Sequence, residues 1–86
     1  MALINLTFHT LKRSEKAIKQ DFELISQLVG RYADDFKFVV FTNRLMSMTI
    51  RGISKKEAYN LLGALFATLA NDEQFKSLSA HVITIE

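Results

Sequence analysis

From Leu3 to His9 the chain alternates: Ile4, Leu6 and Phe8 point one way, Asn5, Thr7 and His9 the other. A period of two marks a half-buried strand, Leu3–Phe8. The period then lengthens. Ile18, Phe22, Ile25 and Val29 recur at helical spacing, Leu24 and Leu28 widen the stripe, and Lys16, Lys19, Gln20 and Glu23 take the other side. This predicts a helix over Ser14–Tyr32, with Ser14 as N-cap and Glu15 in the first turn, where the helix dipole favours an acid. A strand over Phe36–Thr42 follows. The same series then repeats as a strand over Leu45–Arg51, a helix over Lys55–Ala70 and a strand over His81–Glu86.

The second helix has the clearer start, because Ser54-Lys55-Lys56-Glu57 has the spacing of a capping box. Ala58, Leu61, Leu62, Leu65 and Leu69 form its core stripe. Its other positions are unusual: Tyr59, Gly63, Ala64, Phe66, Ala67 and Ala70 are also apolar or small, and a helix with so few polar positions tends to be covered on more than one side. The whole order, β-α-β-β-α-β, is that of the ferredoxin-like α+β sandwich, a four-stranded antiparallel sheet with two helices on one face. It takes up nearly all of residues 1–86, which we read as one domain.

The hairpin between the two halves decides which aromatic residues face the helices. With Asn43-Arg44 as a two-residue loop, Val40 lies opposite Ser47, and Phe36, Phe38 and Val40 fall on the open face of the sheet. A three-residue loop reverses this, leaving Val39, Phe41 and Leu45 outside. Arg44 is a poor residue for the positive φ of a tight hairpin, so both registers stand. Either one predicts a cluster of large apolar side chains on the open face. Together with the outer side of the second helix, this makes Phe36, Phe38, Val40, Tyr59 and Phe66 the candidate interaction surface.

Composition narrows the chemistry. The 86 residues contain no cysteine, which removes disulfides, thiolate catalysis and cysteine-ligated metals, and fits a reducing, cytoplasmic compartment. No apolar run approaches the roughly 20 residues of a membrane span, and Met1–Arg13 lacks the order of a secretory signal. The net charge of +2 is small for a dedicated nucleic-acid binder. Lys12, Arg13, Lys16, Lys19 and Arg44 nevertheless gather at one end as a candidate anion or nucleic-acid edge, interrupted by Glu15 and Asp21. The RNA recognition motif shares the topology but needs aromatic residues on its third strand, and Leu45–Arg51 has none. His9 and His81 fall on strands that pair in this order, yet no carboxylate has an evident place beside them. Neither a glycine-rich phosphate loop nor a nucleophile elbow nor an HExxH pattern is present. We expect no catalytic site, no cofactor and no metal.

One stretch carries a resemblance. Ile50-Arg51-Gly52-Ile53-Ser54-Lys55-Lys56-Glu57, then Leu61-Leu62, then Asn71-Asp72-Glu73-Gln74-Phe75, resembles the second half of small accessory proteins of phages and prophages of Gram-positive bacteria. It covers about a third of the chain and transfers no functional residue. It implies a cytoplasmic, virus-encoded protein that works by binding. We therefore expect a non-catalytic interaction or regulatory protein, homodimeric through its apolar surface, with nucleic-acid binding at the Lys12–Lys19 edge as the alternative.

Overall fold

The computed structural model describes residues 1–42 and 44–86; the side chains of Val40, Phe41 and Thr42 lie outside the description, as does Asn43 entirely. The elements are β1 (Ala2–Thr10), α1 (Glu15–Gly30), β2 (Asp35–Thr42), β3 (Leu45–Ile53), α2 (Lys55–Asn71), a 3-10 turn over Glu73–Phe75, and β4 (Leu78–Ile85). The strands form one antiparallel sheet in the order β2-β3-β1-β4, with β2 and β4 at its edges. Both helices cover the same face.

Both predicted caps are made. The Ser14 hydroxyl accepts a hydrogen bond from the Ala17 N–H at 3.3 Å, and the Ser54 hydroxyl accepts one from the Glu57 N–H at 3.2 Å. Each satisfies a donor that the first helical turn leaves without a backbone partner. Strand ends extend beyond the expected bounds for local reasons. Ala2 and Thr10 lengthen β1 because both turn into the core. Gly52 adopts φ 71°, a conformation open to glycine at little cost, and this shifts the β1–β3 register so that Ile53 is buried opposite Ala2. β4 begins at Leu78, ahead of the expected His81, because the 3-10 turn buries Phe75 and delivers Leu78 to the core.

The core is the layer between sheet and helices. Ile4, Leu6 and Phe8 of β1 meet Met48 and Ile50 of β3 below Ile25 and Val29 of α1 and Leu61 and Leu65 of α2. Three rings lock its centre: Phe8 and Phe22 at 5.9 Å, Phe22 and Phe38 at 5.6 Å, Phe8 and Phe38 at 6.4 Å between centroids. Such edge-on and tilted pairs add about 0.5–1.5 kcal/mol each beyond the area they bury.

The hairpin combines the two expected registers. Thr42 pairs with Leu45, as a two-residue loop requires, but the register shifts before Val40, which pairs with Met46. The extra residue, Phe41, is a β-bulge, and it reverses the face of everything before it. Phe38 therefore pairs with Met48 and Phe36 with Ile50, so both phenylalanines pack against the core on the helix side. The assignment of Phe36 and Phe38 to the open face is corrected by this bulge. That of Val40 lies outside the described side chains.

Candidate functional site

The open face is a polar platform. Along β1 it presents Leu3, Asn5, Thr7 and His9; along β3, Leu45, Ser47, Thr49 and Arg51; β2 adds Lys37 and Val39, and β4 adds Ser79, His81 and Thr84. At its centre the Thr49 hydroxyl donates to Asn5 Oδ1 at 3.0 Å, and Asn5 Nδ2 donates to the Thr84 hydroxyl at 2.8 Å. This ladder ties three strands together. Among the described residues the cross-strand-paired apolar members of this face are Leu3, Val39 and Leu45, and Ile83, 59% exposed, follows His81 by two at the register shift of β4, so hydroxyls and one amide divide the expected apolar cluster. No described aromatic ring lies on this face, since Phe8, Phe36 and Phe38 all turn towards the helices.

His9 and His81 share this face on adjacent strands. His9 pairs with Ser79 and His81 with Thr7, so the two histidines are diagonal neighbours, a relation that sets residues about 7–8 Å apart. Both are exposed, with Thr7 and Ser79 as their cross-strand partners. Among the described residues no group of three or more histidines and carboxylates stands close enough to hold a metal ion.

The basic edge is altered by a contact that charge spacing did not anticipate. Asp21, only 1% exposed, receives Lys12 Nζ on both carboxylate oxygens, at 3.0 and 2.8 Å, and Gln74 Nε2 at 3.2 Å. Lys12 Nζ also donates to the Gln74 carbonyl. One cluster thus joins the β1–α1 loop, α1 and the 3-10 turn. Lys12 is held inside the fold and does not serve as an outward anion ligand. Arg13, Lys16 and Lys19 are exposed and interleaved with Glu15 and Glu23, and Arg44 at the hairpin has a partner of its own. A mixed-charge, solvated surface results.

Asp21 did carry a signal. It lies three residues after Ile18 and four before Ile25, inside the buried arc of α1, where a carboxylate needs a partner.

On α2 the expected surface residues are where the helical pattern put them. Ala58, Leu61, Leu62 and Leu65 are buried, while Tyr59 is 63% and Phe66 37% exposed. Gly63, Ala67 and Ala70 are exposed beside them. The two halves of the proposed interaction surface are therefore not brought together: Phe36 and Phe38 are under the helices at the β2 side, and Tyr59 and Phe66 are on the outside of α2. Between the helices runs an open groove of about 170 Å³ whose lining includes Leu24, Leu28, Leu65 and Leu69 together with Arg31 and Asp72. No described helix is long and apolar enough to cross a membrane.

No protein-family model matches the sequence, and no curated protein does. Solved structures do. The chain is similar to the de novo designed protein Foldit4, with a TM-score of 0.69 at 13% identity over 100% of this chain and 97% of that one. A variant of SnoaB, a cofactor-independent oxygenase from Streptomyces nogalater, gives 0.65 at 9% identity, covering 96% and 91%. A dimeric ferredoxin-like protein from an uncultured marine organism gives 0.50 at 15% identity, covering 95% and 90%. The fold is ferredoxin-like. At such identities the likeness extends to the fold alone, since one fold serves many unrelated activities.

Proposed function

We propose that this chain is a small non-catalytic protein that works by protein–protein association, beginning with its own copy. The observation that carries this reading is the outer side of α2, where Tyr59 and Phe66 stand exposed among Gly63, Ala67 and Ala70. A helix in water normally puts charge there, and a sustained apolar strip marks a surface that is covered in use. Resemblance to a dimeric protein of the same fold supports it. The sequence resemblance to phage accessory proteins, which implies a cytoplasmic protein that works by binding, agrees with this reading. The buried ionisable group, Asp21, is spent on Lys12 and Gln74, an arrangement that favours a structural over a catalytic use.

Light scattering on a gel-filtration column, over a wide concentration range, tests this directly. The expected mass is twice the 9.8 kDa of one chain. Phe66→Glu should restore the single-chain mass with an unchanged circular dichroism spectrum. A single-chain mass for the unmodified protein at every concentration would end the homodimer reading.

A further inference from the structure

The two edges of the sheet are not protected alike. β2 begins at Asp35, directly after Asp34, and carries Lys37, the kind of charge that discourages a foreign strand from pairing. β4, over Leu78-Ser79-Ala80-His81-Val82-Ile83-Thr84-Ile85, contains no Asp, Glu, Lys, Arg or Pro. It is the other edge, hydrogen-bonded through β1 alone. Its register shift, between Val82 and Thr84, leaves Leu78–Val82 as regular strand. Val82, on the helix side, is 37% exposed, so α2 does not cover it fully.

The outer strip of α2 runs beside this edge. α2 contacts β1 and β4, and its Leu65, Thr68 and Leu69 face the groove shared with α1. At about 100° per residue, Tyr59, Gly63, Phe66 and Ala70 point away from the groove shared with α1, on the side of α2 that α1 leaves open. Because α2 also packs on β4, its strip and the bare edge belong to neighbouring elements.

Resting on the self-association reading, we infer that a second copy of this chain docks on β4 and the outer side of α2, joining two four-stranded sheets edge to edge. Three properties select a second copy as the occupant. First, a two-fold axis that sets β4 antiparallel to its copy also sets α2 antiparallel to its copy, because α2 and β4 belong to one rigid unit. Lys55 and Lys56 at the start of α2 then approach Asp72 and Glu73 at the end of the other α2, so opposite charges meet at both ends.

Second, the spacing fits. With α2 above β1 and β4, a strand separation of about 4.8 Å sets the two α2 axes about 10 Å apart. Packed helices lie about 8–10 Å apart. Third, the side chains are self-complementary. Gly63 is the middle residue of the 17 in α2, so a two-fold there brings glycine to glycine and places each Tyr59 against the other copy's Ala67. Large meets small at each Tyr59–Ala67 contact, and the two glycines leave the helices room to approach.

The chain contains no cysteine, which makes a single introduced thiol an unambiguous reporter. Gly63 has ordinary helical φ and nothing within 4 Å of an added β-carbon, so Gly63→Cys keeps the fold. Ser47→Cys probes the open face instead. Under mild oxidation, Gly63→Cys should form a disulfide to its own copy about a hundredfold faster than Ser47→Cys, as thiols held together outrun thiols that meet by collision. Val82→Lys should return the single-chain mass with an unchanged circular dichroism spectrum. A double mass with fast Ser47→Cys linkage and slow Gly63→Cys linkage would overturn the edge-to-edge arrangement while leaving self-association standing. A double mass with neither thiol linking fast, or one that survives Val82→Lys, would overturn it too. A single-chain mass for the unmodified protein would remove the association reading itself.

Discussion

At the scale of single residues, the pair that matters most is Lys12 and Asp21. Removing one partner of a buried ion pair costs about 3–5 kcal/mol, because the other is left uncompensated in a poor solvent for charge. Here the two sides are unequal: Asp21 is 1% exposed and Lys12 23%. Lys12→Ala leaves a buried carboxylate with Gln74 as its remaining side-chain donor. Asp21→Ala leaves an ammonium group that can swing into water. We expect Lys12→Ala to lower stability by about 3 kcal/mol and Asp21→Ala by about half of that. Lys12→Met combined with Asp21→Leu should recover most of the loss, since an apolar pair removes the desolvation cost. Urea midpoints with unchanged slopes would check this. Equal losses from the two single variants would mean that Lys12 is held as tightly as Asp21. Periodicity alone did not reveal the pair. The residues are nine apart, and their meeting depends on the path of the β1–α1 loop and on Gln74, which comes from the far end of the chain.

At the scale of elements, what was legible and what was not separate cleanly by physical cause. Strand and helix identity followed from periods of 2 and 3.6, and helix starts from Ser14 and Ser54, because these are local properties of the chain. The face of β2 was not local. One bulged residue, Phe41, inverts Phe36 and Phe38, and neither propensity nor alternation records such an insertion. Of the residues expected to face outward, Tyr59 and Phe66 are exposed, whereas Phe36 and Phe38 pack against the core. α2 shows why its own half was readable. Leu65 and Phe66 are adjacent in sequence and about 100° apart on the helix, so one is buried and the other turned out. At a dilution where the protein is monomeric, Leu65→Ala should cost about 2–5 kcal/mol through lost burial and the cavity left behind. Phe66→Ala should cost less than about 1 kcal/mol under the same conditions. Comparable losses would mean that Phe66 packs inward, and the outer strip would cease to exist as a binding surface.

At the scale of the whole molecule, the fold places its two kinds of surface on different sides. The open face of the sheet is polar and cross-linked by the Thr49–Asn5–Thr84 ladder, which stabilises it in water without a partner. Tyr59 and Phe66 outside α2 and Val82 and Ile83 on β4 put a second share of exposed apolar surface at the β4 end. An 86-residue domain buries a smaller share of its surface than larger ones, so covering that apolar surface should contribute measurably to stability. If the native state is a dimer, its thermal midpoint must depend on protein concentration, because dilution favours dissociation by mass action. A tenfold change in concentration is worth about 1.4 kcal/mol per dimer, or about 0.7 per chain. For a domain of this size that corresponds to a midpoint shift of about 3–6 °C. Calorimetry over successive tenfold dilutions should show that shift for the unmodified chain, and none for Phe66→Glu. The dilution series should also converge on the variant's midpoint once the dimer has come apart. A midpoint that ignores concentration in both proteins would mean that folding and association are uncoupled, and that each chain is stable with the outer side of α2 in water.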